Sequence, residues 1–472
     1  MAQDVKGDKK IKTIRKNKKK KAHSEYELSL KNVDLSDPVF KQAYEMAEDP
    51  LCPNLFITGG GGCGKSIILE HYYKYLANRG INVAVICPTG VAASSLTEKG
   101  VYAKTIHSFF LLPPQPLFEK ILHMPKERQN LIRHLDYLLI DEVSMISPSL
   151  FDHMGWILFE VGFKGKIIMF GDVAQLSPVV NLRDEATCDY YISKKYINSV
   201  DDLPQFYNSK FYKILSPKII LLNRIYRQDE QEFISVLKRI RLGEQTNEDL
   251  ELINTRVISK GEFYSQHPNM LYLSSVNSIV NRINNEYNKS FAGSPYMEYT
   301  SMSTGSLKKD KEEIIRIYEG QQIMCTHNNS ELGYQNGMMG IVEKVEEDYL
   351  YIKDRNGQSV RIERETWTDF KIEYDKKSHE VKISETGAFN QIAAKPAFAS
   401  TIHKAQGLTL DYAYVDLTSS FIPPSSVYLA LSRCRTLSGL GLSRPIRHCD
   451  IAVDKNVTKF YKELAEKQNQ SE

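Results

Sequence analysis

The chain is 472 residues long, 42% hydrophobic and 25% charged, with a net charge of +3. That length allows several domains, each with its own core, and the composition is that of a globular protein rather than a disordered or fibrous one. No apolar run approaches the ~20 residues of a membrane helix and the N-terminus has no apolar signal core, so a membrane or secreted protein is disfavoured and a soluble, intracellular one expected.

Residues 1–30 form a basic tail. Ten Lys/Arg stand against Asp4 and Asp8 in the first 24 residues, a local charge of +8 that leaves −5 for the remainder. Self-repulsion makes such a block a disordered segment, suited to holding nucleic acid, to acting as a nuclear address, or simply to solubilising the chain without a specific partner. The seven cysteines (52, 63, 87, 188, 325, 434, 449) show no C-x-x-C pair or other metal-ligand spacing and read as reduced thiols.

Asp37-Pro38 opens a helix that runs to Met46. The apolar run Leu55-Phe56-Ile57 then leads into Gly59-Gly60-Gly61-Gly62-Cys63-Gly64-Lys65-Ser66, followed by the helical pattern from Ile67 to Tyr72. This is G-x-x-x-x-G-K-[ST] in the strand, loop, helix context it requires. Glycines let backbone N–H groups wrap a triphosphate, and the following helix aims its positive end at the anion. Lys65 is expected on the β- and γ-phosphates of ATP and the Ser66 hydroxyl on Mg²⁺.

The run Asn82–Cys87 is a buried strand that ends in the turn Pro88-Thr89-Gly90, and strand, helix, strand at this spacing implies a parallel α/β sheet. Tyr137-Leu138-Leu139-Ile140 is a further strand, capped by Asp141 and Glu142. Downstream of a phosphate loop such a pair has two tasks: Asp141 holds the metal and Glu142 orients the attacking water. Residues 181–218 carry no chemical signal and read as a helical connection. From about 293 to 394 the pattern turns to strands, with Tyr349–Lys353 and Ser359–Ile362 joined by an Asn356-Gly357 turn. Val457–Lys467 reads as a solvated amphipathic helix.

Six stretches together resemble the PIF-type DNA helicases of the RecD-like branch of superfamily 1. Beside the phosphate loop stand Asp141-Glu142-Val143-Ser144-Met145-Ile146 and Gly171-Asp172-Val173-Ala174-Gln175-Leu176-Ser177-Pro178-Val179. Further on come Leu222-Asn223-Arg224-Ile225-Tyr226-Arg227-Gln228, Thr401-Ile402-His403-Lys404-Ala405-Gln406-Gly407 and Tyr428-Leu429-Ala430-Leu431-Ser432-Arg433. They keep the family's order across most of the chain. The resemblance implies two RecA-like motor domains, 31–218 with a short wedge insertion at about 110–134, and 219–472 with an SH3-like β-barrel insertion at about 293–394.

It further implies Arg227 and Arg433 as arginine fingers, Gln175 as the γ-phosphate contact, Gly407 as a backbone contact near the phosphates and Gln42 as the reader of adenine. Strand contacts are implied at Pro88, Thr89 and Gly90, at His107, Ser108 and Phe109, at Asn277, and at Thr401, His403 and Lys404, with His107 or Phe109 stacking on a base. The expected activity is that of an ATP- and Mg²⁺-dependent helicase acting in DNA replication, repair or recombination. It would move 5′ to 3′ on single-stranded DNA, open forked or tailed duplexes, work as a monomer and meet replication or repair proteins. An RNA helicase of the same superfamily and a nucleic-acid-stimulated ATPase without strand separation remain as alternatives.

Overall fold

The computed structural model describes residues 37–469 apart from 50–53, 113–123, 309–312, 376–379, 420–421 and the single positions 176, 179, 229, 330, 335, 337 and 355. The basic tail at 1–30, and Pro113, Pro114 and Pro116 at the heart of the expected wedge, lie outside the described residues.

The first sheet has six parallel strands, β1 (Leu55–Gly59), β2 (Val83–Cys87), β3 (Ala103–Thr105), β4 (Tyr137–Ile140), β5 (Lys166–Gly171) and β6 (Lys218–Leu222), in the order β3-β2-β4-β5-β1-β6. β1 and β2 are buried at every position, as strands covered on both faces must be. The helix Lys65–Asn78 lays Ile68, Leu69, Tyr72, Tyr73 and Leu76 on the sheet, a face that recurs every three to four residues. The helix Pro148–Glu160, packed on the opposite face of the sheet, starts where Pro148 fills the first helical position and the Ser147 hydroxyl accepts from the Leu150 N–H at 3.2 Å. The boundary expected at 218/219 falls at the head of β6, which pairs with β1 as far as Leu222. The first unit therefore continues to Leu222, because the apolar run Ile219–Leu222 finds its cover beside β1.

The second sheet is also parallel and runs Ala399–Thr401, Leu271–Ser274, Ala413–Asp416, Leu440–Leu442. Two RecA-like α/β units are thus present. Inserted in the second unit, between its strands Leu271–Ser274 and Ala399–Thr401, lies the antiparallel unit, whose two sheets wrap one core of Tyr299, Ile317, Ile323, Leu350, Ile352, Ile362 and Ile392. The Asn356-Gly357 turn does join paired strands, with Gly357 at φ 76°.

Two features depart from expectation. The hairpin Ser359–Asp375 with Glu380–Ile392 is long enough to reach the first unit, where Lys104 on β3 forms an ion pair with Asp369 and helix Lys126–Arg133 packs against the hairpin. The C-terminal helix Lys455–Asn469 is not solvated on all sides: Val457, Tyr461 and Leu464 are buried in the core of the first unit. Those three lie four and then three residues apart, one apolar stripe on a helix whose other faces are charged. No described helix is long and apolar enough to cross a membrane.

Candidate nucleotide and nucleic-acid site

The loop from Gly59 to Ser66 turns between β1 and helix Lys65–Asn78. Gly62 and Gly64 take left-handed φ values of 80° and 90°, and a side chain on either would collide, with the Cβ of Arg227 at 2.4 Å and with the Phe40 ring at 2.9 Å. The Lys65 ammonium bridges the carbonyls of Gly59 and Gly60 at 2.8 and 2.9 Å. Cys63 is buried beneath the loop, while Ser66 is exposed at its end.

Side chains from three separate motifs converge on Gly61. A Cβ built on it would lie 3.4 Å from Arg433 Nη2, 3.6 Å from Arg227 Nη1 and 3.6 Å from Gln175 Nε2. Arg433 is 2% exposed and donates to the carbonyls of Leu429 and Leu408 and to the Ser432 hydroxyl. Arg227 donates to the Ser432 carbonyl at 3.4 Å, and Gln228 beside it donates to the carbonyls of Ser432 and Cys434. Both guanidiniums are held by neutral oxygens, and Ser432 accepts from each of them, through its carbonyl from Arg227 and through its hydroxyl from Arg433. Burial, and then the charge of Arg227, push Arg433 down to about 9, and burial lowers Arg227 as well. Two desolvated cations facing one glycine loop form a site for a multiply charged anion.

The carboxylates stand at the end of β4. Burial, followed by the charge of Glu142, holds Asp141 well above the usual carboxylate range. Glu142 occupies a left-handed conformation at φ 49°, rare for a residue with a long side chain, which turns it off the strand toward the second unit. There Gln406 Nε2 donates to Glu142 Oε2 at 3.2 Å and to Gln175 Oε1 at 3.4 Å. Ser66, Thr89, Asp141, Glu142, His403, Lys404, Gln406 and Gly407 line one cleft of about 750 Å³ between the units.

Behind the loop sits a buried polar node. The Gly61 N–H donates to the Tyr428 hydroxyl at 3.0 Å, and Tyr461 on the C-terminal helix bonds Asp172 at 3.0 Å, Thr58 at 3.0 Å and the Val173 N–H at 3.2 Å. Arg241 closes it, pairing with Asp172 at 2.7 Å and lying over the Tyr461 ring at 4.2 Å. Sequence reasoning had no role for Asp172, Gln406 or Tyr428, although all three lie inside the motifs. Arg241 and Tyr461 lie outside them and carry no sequence signal, because their significance is entirely one of contact.

The strand-contact candidates emerge from the C-terminal ends of parallel strands, where loops of open α/β sheets form crevices. Cys87 is in register with Thr105, so Pro88, Thr89 and Gly90 leave the sheet beside His107 and Ser108; Ser274 is in register with Thr401, so Asn277 rises beside His403 and Lys404. Thr89 caps the helix that follows, with Gly90 exposed. Thr401 is buried and its hydroxyl accepts from the Lys404 N–H at 3.3 Å, leaving the Lys404 side chain exposed. Burial lowers both His107 and His403, so near pH 7 these rings are neutral.

Two candidates are placed differently from expectation. Phe109 is 1% exposed inside the first core, edge-on to Phe110 at 5.1 Å, and has no face free for a base. Gln42 points outward from helix Pro38–Glu48, while Phe40, two residues earlier, is buried against Gly64 and packs edge-on to Tyr226 at 6.3 Å. Gly407, at φ 85°, lies exposed at the cleft with open space around it.

A family model described as PIF1-like helicase matches residues 34–251. The chain is 26% identical over 443 residues to the ATP-dependent DNA helicase Pif1 of Campylobacter jejuni, covering 87% of this chain and 94% of that protein. Among solved structures it is similar to Bacteroides sp Pif1 in complex with ADP-AlF4, at a TM-score of 0.79 and 27% identity over 92% of this chain and 97% of that one. Bacteroides Pif1 in complex with ADP-AlF3 and ssDNA is similar at a TM-score of 0.60 and 28% identity, over 90% and 96% of the two chains. Two parallel units close on a phosphate loop with the motifs of both facing one cleft, and in this arrangement residues 34–251 match the PIF1-like helicase model while the chain is similar to Pif1 helicases over most of its length.

Proposed function

We propose that this protein hydrolyses ATP to move along single-stranded DNA, 5′ to 3′, and to open forked or tailed duplexes in replication, repair or recombination. The observation that carries the reading is the meeting of Arg433, Arg227 and Gln175 at Gly61. Hydrolysis loads charge onto the transferred phosphoryl group, and only cations reaching in from the other motor unit make that step respond to closure of the cleft. Lys65 and the loop amides from Gly59 to Gly64 hold the phosphates, and Glu142 orients the attacking water.

Ser66 and Asp141 would hold Mg²⁺, which supplies charge neutralisation across the phosphates. The oxygen donors fit it, and the raised affinity of Asp141 for a proton marks a place where a cation relieves crowded negative charge. Among the described residues no group of three or more His, Cys, Asp or Glu forms a metal cage, which suits an ion held partly by substrate phosphates. Thr89, Thr401 and Lys404 grip the strand through phosphates and His107 stacks on a base, with Pro88, Gly90, Ser108, His403 and Asn277 around them, so opening and closing of the cleft alternates the two grips.

The test is strand displacement on duplexes with a 5′ or a 3′ tail, with ATPase measured on DNA and RNA oligomers. Opening of the 5′-tailed duplex, lost in Lys65→Ala, is the expected result. Opening of only the 3′-tailed substrate overturns the polarity, stronger stimulation by RNA overturns the substrate, and stimulated hydrolysis without opening overturns the helicase reading.

A further inference from the structure

We infer that Gln406 is the residue through which the occupied strand site sets the hydrolytic centre, by holding Glu142 and Gln175 in register across the cleft. The inference rests on the function proposed above and adds a residue to its site. Gln406 belongs to the second unit, yet its amide nitrogen donates to one carboxylate oxygen of Glu142 and to the side-chain carbonyl of Gln175, both from the first. A carboxylate can only accept, so the orientation of the amide is dictated. The carbonyl of the same amide is buried and has no hydrogen-bond partner among the described residues. It is therefore an acceptor beside Glu142, suited to the second hydrogen of a water whose first is taken by the carboxylate.

The local backbone explains the coupling. The Ala405 N–H donates to the Thr401 carbonyl, the Gln406 N–H to the His403 carbonyl and the Leu408 N–H to the Ala405 carbonyl, at 3.0 to 3.1 Å. Thr401, His403, Lys404 and Gln406 thus ride on one continuous run of turns. A phosphate drawing on Thr401 or Lys404 moves the Gln406 side chain with it, while Glu142 on its left-handed backbone has little freedom to follow. Gln406 is in this sense a positioning residue, a polar link from the Thr401–Lys404 turn to the water-activating carboxylate.

The experiment compares Gln406→Glu, which keeps the shape, and Gln406→Leu, which keeps the approximate volume. Each is assayed for ATPase with and without a poly(dT) oligomer from pH 6 to 8.5, with ADP affinity and melting temperature alongside. In both variants the oligomer-stimulated kcat is expected to fall by about 10-fold to 100-fold. That is at or below the lower end of what a general base itself contributes, because Gln406 orients the base and does not replace it. KM for ATP and ADP affinity should stay within about twofold, since neither contact reaches the nucleotide-binding amides. The distinguishing signature is pH: the introduced carboxyl repels Glu142 when ionised and can donate to it when protonated. The Gln406→Glu rate relative to wild type should therefore rise toward pH 6, while the Gln406→Leu ratio stays flat.

Stimulated kcat within twofold of wild type in both variants overturns the inference, as do equal losses with parallel pH profiles. Wild type without any DNA-stimulated hydrolysis overturns the underlying function, and the inference with it. Wild type active with the two variants unaltered overturns the inference alone. Should Gln406→Leu melt early, the pH profile of Gln406→Glu decides by itself.

Discussion

Arg241, in the last turn of helix Gln231–Leu242, holds the fully buried Asp172 of the loop after β5 through Nη2 at 2.7 Å and Nε at 3.1 Å. Burial alone would raise the Asp172 carboxyl, but the charges of Arg241 and Lys65 outweigh it and hold the group below its usual range. The pair joins the two motor units directly behind the phosphate loop. Arg241→Met should destabilise the protein by about 3–5 kcal/mol, because it strands a buried carboxylate, and combining it with Asp172→Leu should recover much of that loss. Urea unfolding of the two single variants and the double variant measures the coupling. Additive losses would refute it.

Arg433 and Arg227 are predicted to act in the transition state more than in binding. Arg433→Ala or Arg227→Ala should lower kcat by roughly 10³-fold to 10⁵-fold, with a much smaller change in KM for ATP. Lysine at either position should not restore the rate, since a point charge cannot reproduce the fork that holds Arg433 to Leu429 and Ser432 while it faces the loop. Steady-state ATPase with saturating oligonucleotide is the measurement.

Asp141 provides a pH prediction of opposite sign to a salt-bridged acid. Its folded pKa is pushed up to about 7 by burial and Glu142, so between about pH 4 and 7 the folded state keeps a proton that the unfolded chain has released. Stability is therefore lost as pH rises through this window. Asp141→Asn should melt higher than wild type at neutral pH without nucleotide, by up to about 3 kcal/mol, and match it near pH 4. The same variant should lose ATPase. Thermal melts at both pH values, with and without Mg²⁺ and a nucleotide analogue, test it, and the gain should shrink when the ligands are present.

The C-terminal helix is expected to be indispensable. Val457, Tyr461 and Leu464 each stabilise by about 1.5–3 kcal/mol through burial, and Tyr461 also satisfies Thr58, Asp172 and the Val173 N–H. Removing residues 455–472 should yield an aggregating or markedly less stable protein, while Tyr461→Phe, which keeps the ring under Arg241, should cost about 1–3 kcal/mol. Limited proteolysis and urea melts follow both. A truncated chain as stable as the full one would restore the reading of a solvated amphipathic helix.

Motifs whose chemistry is local are legible in the sequence. The phosphate loop needs its glycines, lysine and serine in a fixed order because backbone and side chains of one short segment do the work, and the same holds for Asp141-Glu142 at the end of a strand. Phe109 and the helix from Val457 to Lys467 mislead for a common reason: an aromatic ring or an amphipathic stripe states that it will be buried or half-buried, not against what. The length of the hairpin beyond Ile362, and its contact with Lys104, are equally invisible, since strand patterning does not say how far a pair extends past its sheet.

By itself the sequence determined the class of the molecule: two parallel α/β units, an antiparallel insertion, and a set of ordered motifs for binding and splitting a triphosphate. The first sheet, the inserted strands and the phosphate loop follow from periodicity and from residue types at short spacing, which the chain carries in any conformation, and the second unit from the resemblance of its ordered motifs to the PIF-type helicases. Only the tertiary structure decided which side chains meet across the cleft, that Gln406 faces Glu142, Arg241 faces Asp172, and Tyr461 reaches Thr58 from the far end of the chain. These partners are separated by 69 to 403 positions, and their contact depends on how two sheets and a terminal helix pack, a property of the assembled core rather than of any segment within it.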